Sequence, residues 1–167
     1  SPRAARSPIE LPPIPIVARV TVRQAIGDLP DSDPAIPNHQ TMKLSPQNQR
    51  RIEETPKDGG FSRFDAVAFG DSYARMRWDE PSPTITTRCI SFSNGRFGHP
   101  EFDRAITVRE AAILQGFDRD YVFQGGVLET ARQVGNAVPP PIARWLGEII
   151  LRHARQSERA SRASAKS

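Results

Sequence analysis

Val138, Ile142, Trp145, Leu146, Ile149 and Ile150 recur at helical spacing and lay a wide apolar stripe along the end of this chain. A helix with such a stripe needs a surface to lie on, and the rest of the chain offers little of one. Of 167 residues, 37% are hydrophobic, with 16 Pro and 11 Gly among the others. Globular chains usually carry ~45–50%, in a class that also counts Gly. The length suits one domain or part of a larger one, and the stripe favours the second. A chain that opens on Ser1 rather than Met is compatible with that expectation.

The formal net charge is +4 and the pI is near 9.8, which invites a nucleic-acid partner. Residues 152–167 hold Arg152, Arg155, Arg159, Arg162 and Lys166 against a single acid, Glu158. They account for the whole excess, so the body before them is neutral. Such a tail is expected to be disordered and solvated over 154–167. The single cysteine, Cys89, excludes a disulfide framework within the chain and a zinc site of several thiolates; no metal site is expected. Neither a signal peptide nor a run of ~20 apolar residues is present, so a cytoplasmic protein without a membrane partner is expected.

Local signals place the elements. Proline crowds residues 1–18 into an extended connector. Lead-in helices follow over 19–60. Thr21 caps a short helix through Ile26, and Ser45-Pro46 opens another that runs to about Glu54. From 61 to 100 no helical period survives; β-prone Thr84-Ile85-Thr86-Thr87 and turns at Ser93-Asn94-Gly95 predict strands and loops. Thr107 and Glu110 form a capping box for a helix that ends at Gly116. A shorter helix is predicted over 129–134, and the striped one over 139–153.

The stretch Arg-Ala-Ile-Thr-Val-Arg-Glu-Ala-Ala-Ile-Leu-Gln-Gly-Phe at 104–117 is followed by Gln-Val-Gly-Asn-Ala-Val-Pro-Pro-Pro-Ile-Ala at 133–143. In order and spacing they resemble the last two conserved motifs of DNA (cytosine-5)-methyltransferases. Residues 73–87 resemble that family's target-recognition region, and 21–30 the segment before it. The likeness covers about 19–153. The family's Phe-x-Gly-x-Gly loop, Pro-Cys nucleophile, Glu-Asn-Val and Gln-x-Arg-x-Arg motifs do not occur in this chain. Cys89 lacks the preceding Pro, so a small, semi-buried residue is expected there, and no catalytic residue is assigned.

The resemblance implies an α+β fragment. A loop-rich β recognition lobe at 61–103 would be followed, over 104–153, by helices that pack on a Rossmann-like catalytic domain mostly absent here. It also implies double-stranded DNA as partner, S-adenosyl-L-methionine as cofactor, and a catalytic part supplied by the same longer chain or a separate subunit. Carbon-5 methylation needs a nucleophile, an acid and a flipped base. No acid lies between Glu80 and Glu101, where Arg88, Asn94, Arg96 and His99 stand. The expected DNA contacts are Arg75, Arg77, Thr86, Thr87, Arg88, Asn94 and Arg96, since Arg reads guanine's two major-groove acceptors. Each Arg is as well suited to a phosphate. Residues 73–77 and 87–96 correspond to the family's two recognition loops, with Arg75 and Arg77 sharing a face if the first is a strand. Asn136, Ala137 and Val138, just before a helix start, are expected beside the cofactor; an N-cap is the plainer role for Asn136. Arg104, Arg109, Glu110, Gln133 and Gly135 belong to the structural motifs, Arg109 and Glu110 as a buried pair or only a cap. Two other readings stay open: a DNA-binding module of this family without catalysis, and an unrelated helical regulator.

Overall fold

The computed structural model describes residues 9, 11–13, 19–62 and 72–164. Most of the connector at 1–18, part of the recognition region at 63–71, and the end of the tail at 165–167 lie outside the described residues. The chain divides into a body, Arg19–Ala137, and a second unit that contains its last helix.

Five α-helices occur among the described residues: α1 Val22–Ile26, α2 Pro46–Glu54, α3 Val108–Leu114, α4 Val127–Asn136 and α5 Pro140–Ser164. The first three start where local chemistry predicts. Thr21 Oγ1 accepts from Gln24 N while the Gln24 side chain accepts from Thr21 N, a capping box on α1. Ser45 caps α2 ahead of Pro46. Thr107 and Glu110 repeat the box on α3. The amides of Gly116 (φ 92) and Phe117 reach back to the carbonyls of Ile113 and Ala112, a Schellman stop.

Two helices outrun their prediction. The fourth covers Val127–Asn136 instead of 129–134. The last runs to Ser164, so residues 154–164, expected as disordered tail, are helical. Ala154, Arg155, Gln156, Glu158, Arg159 and Ala160 are good helix formers, and neither Gly nor Pro interrupts them. In this second unit Ile149 is buried, beside a groove it lines with Ile9, Leu11, Pro12 and Pro13. Ile142, Ile150 and Leu151 remain about half exposed. Among the described residues no helix is long and apolar enough to cross a membrane.

The expected β lobe is not built as a sheet. Described residues between 61 and 106 make only isolated bridges, Phe61 with Ala74, Arg75 with Gly98 and Gly98 with Ala105. Residues 84–86 join no bridge, and 92–94 form a single 3₁₀ turn. Pro81, Pro83 and Pro100, with Gly95 and Gly98, break the segment before a ladder can propagate. Arginine takes over much of the cross-linking that a sheet would supply. One core gathers Val22 and Ile26 of α1, Met76, Ile85, Cys89, Phe97 and Ile106 of the loops, Val108 and Ala111 of α3, and Ala131 and Val134 of α4. A smaller cluster joins Ile52 of α2 to Phe92 and Ala105.

Candidate DNA interface and cofactor wall

Arg75 shows how the loops are held. Its guanidinium is fully enclosed. Nε donates to Thr55 O (3.0 Å), Nη1 to His99 O (2.9 Å) and Phe102 O (2.7 Å), and Nη2 to Ile52 O (2.6 Å) and the Asp103 carboxylate. All five donors of the side chain are taken. The expectation of Arg75 as a DNA contact is therefore corrected: no hydrogen is left for a base or phosphate. Burial alone would raise the Asp103 carboxyl, but Lys57 and Arg75 hold it below the usual carboxylate range.

A second buried knot ties α3 to the loops. Arg104 grips Glu110 in a two-pronged pair, Nη1 to Oε2 and Nη2 to Oε1, both at 2.8 Å, and its Nε reaches Asp31 at 2.7 Å. Glu110 also accepts from the amide of Thr107 (2.7 Å). The partner of Glu110 is thus Arg104, which corrects the Arg109–Glu110 pair. Arg109 instead clamps backbone, Nε to Pro37 O and Nη1 to Arg119 O. His39 donates from Nε2 to Pro30 O (2.9 Å), which leaves Nδ1 to accept from the Thr107 hydroxyl (3.0 Å).

His99, placed by its sequence neighbours on the reading surface, is interior, at 1% exposure. Its Nδ1 accepts from the amides of Glu101 and Phe102, and its ring stacks on Phe102 with centroids 4.5 Å apart. Burial first, then the charges of Arg104 and Arg75, push its pKa down to about 3. Nε2 then carries the proton and faces Glu110 Oε1 at 3.6 Å. Cys89 is wholly buried, and desolvation pushes its thiol up to about 11. It is a core residue, more fully enclosed than the semi-buried position expected from sequence.

The surface residues separate cleanly from this interior. Ile85 and Cys89 are buried, and between them Thr86, Thr87 and Arg88 are exposed. The turn is closed by Cys89 N on Thr86 O (3.1 Å) and Arg88 N on Thr86 Oγ1 (3.3 Å). Asn94, in the 3₁₀ turn, and Arg96 are exposed as well. Arg77 is exposed, its stem crosses Gly59 (φ +94), and it pairs with Glu80 at 3.2 Å. Arg77 and Arg96 line one groove with Phe61, Pro81 and Pro83. Six of the seven expected DNA contacts therefore face solvent.

Gly135 and Asn136 are the last residues of α4, which corrects the predicted end at 134; in the chain 135–138 still stand just before the start of α5 at Pro140. Asn136 and Gln133 are exposed, and Gln133 Nε2 donates to Gln124 O. The Ala137 carbonyl accepts from Gln115 Nε2 at 2.9 Å. Val138 is 59% exposed. Asp31 and the contacts of Gly135 were missed from sequence, because Arg104 and Asp31 are 73 residues apart and no local pattern marks them.

Residues 7–152 match the family of C-5 cytosine-specific DNA methylases. The chain belongs to that family. It is 41% identical over 130 residues to the Type II methylase M.HgiDII of Herpetosiphon aurantiacus, which covers 68% of this chain and 37% of that protein. It is 46% identical over 94 residues to DNA (cytosine-5)-methyltransferase 1 of Mus musculus, covering 53% of this chain and 6% of the mouse protein. A prophage-encoded E. coli protein described as a DNA modification methyltransferase superposes with a TM-score of 0.50 at 24% identity, over 70% of this chain and 29% of its own. That likeness bears on fold alone. The chain spans well under half the length of these relatives. Membership removes the unrelated helical regulator from consideration.

Proposed function

We propose that this chain is the target-reading part of a DNA (cytosine-5)-methyltransferase, and that it also closes the cofactor pocket of a catalytic lobe supplied by the rest of that enzyme. The observation that carries this reading is the exposed turn Thr86-Thr87-Arg88, seated between buried Ile85 and Cys89 in an interval without acids. Exposed Asn94, Arg96 and Arg77 extend the same donor-rich lobe. Such donors read base edges in the major groove or fix the duplex through its phosphates.

Flipping cytosine out of the stack costs a few kcal/mol. The lobe offsets that by gripping the duplex while the base enters the catalytic lobe. S-adenosyl-L-methionine supplies the methyl group when bound. Asn136 would hold one edge of it, beside Ala137, whose carbonyl Gln115 holds. The attacking thiolate comes from elsewhere, because the chain's single thiol is buried and protonated at neutral pH.

The test is methylation of a randomised duplex library at two salt concentrations, by the chain alone and with a catalytic part bearing the Phe-x-Gly-x-Gly and Pro-Cys motifs. The chain alone transfers no methyl group, and the pair methylates cytosine. Arg88→Ala, Asn94→Ala, Arg96→Ala or Arg77→Ala loses ~1–3 kcal/mol of discrimination at one base position if that residue reads a base. One that holds phosphate weakens all sequences alike and lowers the salt slope by about one unit. DNA binding with no methyl transfer by any pairing would favour a non-catalytic module; unchanged preference in every loop variant would sink the reading.

A further inference from the structure

Two segments assigned above to different ligands touch through a glycine. Gly135 lies on the face of α4 that carries Ala131 and Val134 into the core beside Ile85 and Cys89. A Cβ added at Gly135 would stand 2.2 Å from Thr87 N, 2.3 Å from Thr86 C and 2.5 Å from Thr86 O. All three are backbone atoms, so no side-chain rotation relieves the clash. Ordinary Cβ contacts lie at 3.4–4 Å. Any larger residue therefore has to open a gap of roughly 1 Å between the reading turn and the helix, a misplacement that costs ~10²-fold when it reaches reacting groups.

Both sides of this contact are stiff. Residues 86–88 are pinned by buried Ile85 and Cys89, and by the bond from Cys89 N to Thr86 O. The end of α4 is pinned by buried Ala131 and Val134, and by the bond from Gln115 to Ala137 O. A displacement at one segment thus passes to the other instead of being absorbed between them.

We infer that Gly135 is a positioning residue that sets the spacing between the DNA-reading turn at Thr86-Thr87-Arg88 and the cofactor residue Asn136, so that one backbone contact tunes both sites. This rests on the proposed function above. Its test uses the assembled methyltransferase, chain plus catalytic part, and compares three variants. Gly135→Ala raises the KM for S-adenosyl-L-methionine and lowers the cognate to near-cognate ratio of kcat/KM, each by about tenfold. Gly126→Ala, at the start of the same helix with nothing within 4 Å of the added Cβ, leaves both unchanged. Asn136→Ala raises the cofactor KM alone.

A role in stability only would lower the melting midpoint and the active fraction without moving KM or the ratio. Should Gly135→Ala not fold, amide exchange in the unsubstituted enzyme decides. S-adenosylhomocysteine should then slow exchange over residues 86–89, and cognate DNA should slow it over 135–137. Gly135→Ala with either constant at its unsubstituted value overturns the inference, as does absence of both protections. In those cases an unsubstituted assembly that still binds DNA and cofactor leaves the proposed function standing. An assembly that binds neither overturns both.

Discussion

Arg75→Ala separates a scaffold arginine from an exposed one. Truncation removes the partner of the Thr55 and His99 carbonyls, while those of Ile52 and Phe102 keep the amides of Thr55 and Arg104 and Asp103 keeps Lys57. A buried acceptor left unpaired costs ~1–3 kcal/mol. Water entering the space lowers that figure, so the low end applies, and two carbonyls give roughly 2 kcal/mol. In a chain of this size ~1 kcal/mol moves the melting midpoint by ~2–4 °C, so the midpoint should fall by roughly 4–8 °C. Arg75→Lys should recover part, because an ammonium offers three donors without the planar fork. Exposed Arg77→Ala should stay within ~0.5 kcal/mol. Calorimetry of the three variants at neutral pH measures this, alongside the duplex-library assay. If Arg75→Ala melts within about 2 °C of the unsubstituted chain while sequence preference relaxes, the guanidinium reads DNA and the buried network has been misjudged.

Two further predictions follow from titratable groups. His99 has its folded pKa near 3, against an unfolded value near 6.5. Between those values the unfolded chain binds more protons, so stability is full above about pH 6.5 and falls as pH drops toward 3; at pH 5 the loss is roughly 2 kcal/mol. Urea midpoints at pH 7 and 5 measure it; a midpoint that rises on acidification refutes the neutral buried ring. Cys89, its thiol raised to about 11, should resist iodoacetamide at pH 8 until the chain is unfolded. Cys89→Ser should keep methyl transfer in the assembled enzyme; rapid alkylation of the native chain, or loss of transfer, would contradict its place in the core.

Much of the site was legible because its signals are short-range. The capping boxes of Thr21 and Thr107, the Ser45-Pro46 start and the stop at Gly116 each act within a few residues, so their chemistry is complete in the local string. The exposed set of Thr86, Thr87, Arg88, Asn94 and Arg96 was also legible, from residue type and the acid-free interval around it.

Other features depended on loop closure. Arg75 and Arg77 are the same residue type two positions apart, yet one is enclosed and the other solvated. Sequence alone does not say which carbonyls the folded loops leave without a ladder partner, and those carbonyls capture Arg75. Glu110 has Arg109 beside it in the chain, but pairs with Arg104 because α3 turns the two neighbours to different surroundings. Asp31 and Gly135 acquire their roles only when segments far apart in sequence come within bonding or van der Waals distance. Local chemistry determined where helices start and which residues carry donors. Tertiary packing decided which donors are enclosed and which stay exposed, because a hydrogen bond satisfied inside the fold is no longer available outside it.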